Sequence, residues 1–157
     1  MKDLGGYGAG EVWLDLSRLP WRAWKGRLTG IDRVELAYAR HLLDVAGDRL
    51  RFVAFNYRMG FRELPRKQTE RLVRGLGAAW EKGDGLPSAS LARSVFLAGI
   101  SPFSPQLPKA SRARHRPVYI NVSTHPLCQE GAIARFLART GAAFVPLMHD
   151  MIPSEHP

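Results

Sequence analysis

The chain has 157 residues, 45% hydrophobic and 24% charged, with a formal net charge of +9 at pH 7. That length suits one ordinary domain around one core, and that balance excludes a disordered or fibrous chain. The longest apolar runs are short and broken by Arg, Asp or Pro, and none follows Lys2, so neither a membrane span nor a secretion signal is expected and the expected location is the cytoplasm.

In chain order, 11–16 (EVWLDL) has the apolar run of a buried strand, and 17–30 (SRLPWRAWKGRLTG) reads as a long irregular connection. From Ile31 the pattern is helical, because Ile31, Val34, Tyr38, Leu42 and Val45 recur three or four residues apart and predict one apolar face. Thr29 suits the N-cap, Asp32 lies in the first turn where the helix dipole favours an anion, and Gly47 can take the left-handed conformation that stops a helix. A second strand is expected over 50–57 (LRFVAFNY), so the passage is a βαβ unit and predicts a parallel sheet. Helical patterns over 65–80 and 88–98 carry no nameable chemistry, and 100–117, rich in Pro, Ser and positive charge, reads as a mobile surface loop. The alternation then resumes, with strand over 118–123, helix over 126–141 and strand over 142–148. The expected fold class is therefore α/β, a Rossmann-like, doubly wound, mainly parallel sheet with helices on both faces.

The positive charge invites a nucleic-acid reading, but the basic residues are scattered and concentrate only in FRELPRKQTERLVR and KASRARHRP. No Trp or Tyr is interleaved with those two runs as a base-stacking platform, so no nucleic-acid partner is expected. The same charge would attract the chain to an anionic membrane face without insertion, which makes peripheral association with the cytoplasmic face the related expectation. The single cysteine, Cys128, has no partner for an internal disulfide and receives no role.

In a doubly wound sheet the ligand lies outside the carboxyl ends of the strands, so the residues that follow each strand are the candidates. They are TGIDR at the first helix start, STHP after the strand ending near Val122, and HD after the strand ending near Met148. Topology would bring Thr29, Gly30, His125, His149 and Asp150 to one edge. Each also has a purely structural reading: cap and turn for Thr29 and Gly30, a cap for His125, and a carboxylate fixing an imidazole for His149 and Asp150. His125, His149, Asp150 and His156 lack any HxH, HExxH or CxxC spacing, so no metal is assigned, and the absence of a Gly-x-Ser-x-Gly elbow argues against an α/β hydrolase.

Together LTGIDRVELAYARHLL, YINVSTHPL and FVPLMHDMIPSEHP resemble the N-terminal half of the retaining glycosyltransferases of family 4 (group 1), which have the two-domain GT-B architecture. The resemblance runs in order along the chain, is most specific at HD, MIP and HP, and finds nothing distinctive over 61–116. It implies a metal-independent glycosyltransferase that uses no cofactor and moves a sugar from a nucleotide-diphosphate-sugar to a glycan or lipid-linked acceptor. It also implies that the helix start at Thr29, Gly30, Ile31 and Arg33 faces the donor diphosphate and the acceptor, with His125 on the same edge. His149 would be the catalytic residue at the donor sugar, steadied by Asp150. By the family pattern, residues 1–157 correspond to an incomplete acceptor-side domain without the nucleotide-sugar-binding domain, expected to be inactive and poorly soluble alone. The alternative is a non-catalytic basic α/β module that binds nucleic acid, a membrane surface or a protein.

Overall fold

In the computed structural model, which describes residues 10–58, 60–82, 89–108, 115–123 and 130–147, the chain runs through five strands and five α-helices among the described residues. They are β1 (Val12–Asp15), α1 (Leu19–Trp24), α2 (Gly30–Ala46), β2 (Leu50–Asn56), β3 (Gly60–Glu63), α3 (Arg66–Lys82), α4 (Ala89–Ile100), β4 (Val118–Asn121), α5 (Glu130–Thr140) and β5 (Ala143–Pro146). The strands form one sheet in the order β3-β2-β1-β4-β5. β1 pairs in parallel with β2 and β4, and β4 with β5, while β3 returns antiparallel along the outer side of β2. The fold is α/β with a mixed, mostly parallel sheet.

Both sheet faces are covered, which is why these strands are apolar runs rather than alternating ones. Leu14, Phe52 and Ala54 pack under helices α1 to α4, meeting Leu19, Leu36, Leu72 and Val95. Trp13, Val53 and Tyr119 project the other way onto Ile133 and Phe136 of α5. An ion-pair staple fixes the register on that second side: Arg51 of β2 binds Glu11, just before β1, at 2.6 Å and Glu63 of β3 at 2.8 Å.

Four sequence expectations are corrected. The connection over 17–30 contains α1, whose six residues are too few to show a period; Pro20 stands in its first turn and Leu19 and Ala23 are buried. The buried face of α2 is Asp32, Glu35, Leu36, Ala39, Leu43 and Ala46, while Tyr38 and Val45 are exposed. That is one residue's rotation away from the apolar rhythm, because two carboxylates occupy the inward side. β3 was not expected; Gly60, at φ 69°, opens it after the turn from β2. Finally, the described part of 100–117 is not a free surface loop, since Glu63 N–H donates to Pro105 O at 3.0 Å and Leu107 is buried in the α5-side core. The caps of α2 are as expected: Thr29 and Asp32 form a capping box, and Gly47 ends the helix at φ 51°.

Candidate functional site

From β1 the chain moves outward to β2 and β3, then returns to the other side of β1 to form β4 and β5. The order therefore reverses between β1 and β4, and the crevice outside their carboxyl ends is where an open α/β sheet places its ligand. Asp15 closes β1 there and is fully buried. Its Oδ2 accepts a bond from the Tyr119 hydroxyl at 2.7 Å, and its Oδ1 accepts the Ser17 N–H at 2.9 Å. Burial, then the charge of Asp15, push the Tyr119 hydroxyl well above the usual phenol range, so it remains a donor. The Ser17 hydroxyl in turn accepts the Phe55 N–H at 2.8 Å, tying the end of β1 to the end of β2.

The start of α2 opens on the same edge. Asp32 is fully buried and its Oδ2 accepts the Thr29 N–H at 2.6 Å and the Thr29 hydroxyl at 2.7 Å. Two arginines from the β1–α1 passage face it, Arg22 at 3.4 Å and Arg18 at 3.6 Å. One turn on, Glu35 is also fully buried, and neither of its oxygens has a hydrogen-bond partner of normal geometry among the described residues. Burial is the main cause of a pKa well above the usual carboxylate range, reinforced by Asp15 and Asp32; the Arg18 charge and the Leu19 backbone oppose it. Its surroundings thus disfavour the charged form of Glu35 beneath the helix start.

Beside this cluster lies an open cleft of about 650 Å³. Its walls come from three places on the carboxyl edge: Ser17 and Arg18 after β1 with Trp21 and Arg22 of α1, Tyr57 and Arg58 after β2, and Phe96 and Ile100 near the end of α4. The size is that of a small-molecule site, about 300–1,000 Å³. Aromatic rings beside guanidinium groups suit a sugar ring laid flat and an anionic substituent held at the rim.

Of the residues expected from sequence, Thr29, Gly30, Ile31 and Arg33 are brought together in the first turn of α2. Thr29 is engaged with Asp32, and Arg33 lies over the Trp80 ring of α3 at 5.6 Å. A side-chain carbon on Gly30 would meet no described atom within 4 Å, and its φ is not positive, so neither packing nor backbone geometry requires glycine. His125, His149 and Asp150 lie outside the described residues, as does His156. Sequence reasoning missed the Asp15–Tyr119 pair, buried Glu35 and the cleft. The available signal was an aspartate inside the apolar run VWLDL; nothing in the apolar rhythm of α2 turned Glu35 inward. Among the described residues, no group of three or more His, Cys, Asp or Glu side chains is arranged to hold a metal ion, and no helix is long and apolar enough to cross a membrane. The chain matches no family model, and neither a curated protein nor a solved structure matches it.

Proposed function

We propose that this chain is the acceptor-side, Rossmann-like part of a retaining GT-B glycosyltransferase that moves a sugar from a nucleotide-diphosphate-sugar to a glycan or lipid-linked acceptor. The observation that carries the reading is the unobstructed start of α2: a glycine that the fold does not need, backed by a capped helix end and set on the same edge as a ligand-sized cleft. Backbone N–H groups at Gly30 and Ile31, with the helix dipole behind them, receive the donor diphosphate as it departs. Trp21 and Tyr57 hold the acceptor ring in the cleft, and Arg18, Arg22 and Arg58 supply its positive rim. His149 acts on the donor sugar at the anomeric carbon with Asp150 steadying it, and His125 is a further substrate-binding residue. These roles need oriented dipoles and cations rather than a metal.

A transfer assay on the complete gene product that carries this chain tests the reading, using labelled nucleotide-diphosphate-sugars with glycan and lipid-linked acceptors, with and without EDTA. Transfer that retains anomeric configuration and ignores EDTA is expected; failure with every donor, inversion, or loss with EDTA overturns it. One observation favours a second reading, a non-catalytic basic module at an anionic membrane face: Phe103, just beyond α4, is 94% exposed. Binding to anionic vesicles without any transfer would select it.

A further inference from the structure

A smaller cleft, about 260 Å³, lies on the α5 side of the sheet, bounded by Gly60 and Arg62 of β3, Gln106, and Arg135, Phe136 and Arg139 of α5. Three arginines line it, and no carboxylate does. The ion pairs of the described residues all lie elsewhere. Arg62 is only 7% exposed, and its Nε has no partner among the described residues. Arg139 donates to Leu107 O at 3.0 Å and lies over the Phe136 ring. Burial, then the Arg62 charge, lower the Arg139 pKa from its ordinary value. The stretch 101–117, which contributes Gln106, adds Lys109, Arg112, Arg114 and Arg116 to the sequence and contains no Asp or Glu.

Gathering like charges in a partly desolvated cleft opposes folding unless an anion completes the set. The cleft is smaller than the roughly 300–1,000 Å³ of sites that enclose a whole drug-sized ligand, and guanidinium forks match phosphate oxygens two at a time. We propose that Arg62, Arg135 and Arg139 form an anion site that takes the phosphate or diphosphate group of a small molecule. It lies against α5, apart from the helix start and the larger cleft, and does not depend on the glycosyltransferase reading.

The experiment is calorimetric titration of the 157-residue chain with inorganic diphosphate and with inorganic phosphate at about 0.15 M salt, where diffuse surface attraction is screened. Anionic vesicles and a single-stranded RNA are titrated in parallel. Diphosphate should bind at one site that depends on Arg135 and Arg139 and raise the Tm, whether or not a second binds at the start of α2. Arg135→Gln alters an exposed residue and leaves the core intact, so it should weaken binding about tenfold or more, as should Arg139→Gln. Arg58→Gln, in the other cleft, should leave it unchanged. No diphosphate binding, equal affinity in Arg135→Gln, loss in Arg58→Gln instead, or binding only to vesicles or RNA would each overturn the assignment.

Discussion

Replacing Glu35 by methionine should make the protein more stable, although Glu35 is among the most deeply buried residues. Its two carboxyl oxygens have no partner of normal geometry among the described residues, and the Asp15 and Asp32 charges disfavour its ionised form. Methionine has a similar reach, fills irregular space and brings no buried oxygen to satisfy. Relieving an unsatisfied buried polar group is worth about 1–3 kcal/mol. For a chain of this length that is roughly 2–12 °C in Tm, at about 2–4 °C per kcal/mol. The pH dependence has a definite sign. Because the folded state holds the Glu35 proton more tightly than the unfolded state, stability falls as pH rises from the ordinary carboxylate pKa of 4.5 toward the raised folded value. Methionine removes that loss, so its advantage should be larger at about pH 8 than at about pH 5. Calorimetric melts of both proteins at the two pH values measure this. A Glu35→Met variant less stable than wild type at both would show that the carboxylate is a stabilising partner of Arg18, and the account of the cluster would be wrong.

Tyr119→Phe removes the 2.7 Å donor to Asp15 and should cost about 1–3 kcal/mol, read in urea unfolding; an unchanged midpoint would mean that Asp15 does not rely on it. Gly30→Ala should leave the Tm within about 2 °C of wild type, since the added carbon meets open space, yet weaken donor binding at least tenfold if the diphosphate sits at the helix start. Unaltered donor affinity would reduce Gly30 to a helix position. In the complete enzyme His149→Ala should lower kcat on the order of a hundredfold with less effect on nucleotide affinity, and wild-type turnover would remove His149 from the chemistry.

What could be read from the sequence was local. Thr29, Asp32 and Gly47 announce the ends of α2 because capping is decided within a few residues of each end. The parallel strands could be read because both sides of the sheet demand apolar residues. The inward side of α2 could not, since an apolar count assigns Tyr38 and Val45 to the core and Glu35 to solvent, whereas charge and burial among β1, α1 and α2 reverse all three. The larger cleft was hidden for another reason: Trp21, Tyr57 and Ile100 belong to separate elements, and nothing in their spacing encodes that they share a wall.

The position of β1 also has a consequence during synthesis. It is the central strand, yet it leaves the ribosome before every other strand of the sheet, and its second neighbour, β4, begins only at Val118. At about 5–20 residues per second, the intervening hundred or so residues take about 5–20 s to make. Through the second half of that interval β1, β2 and β3 have all their residues, while the flank of β1 around Trp13 and Leu14 faces no strand. An unpaired apolar strand edge is a template for pairing with any other chain nearby. The nascent protein is therefore most vulnerable in mid-translation, and that hazard ends when the VYIN segment arrives to take the vacant flank.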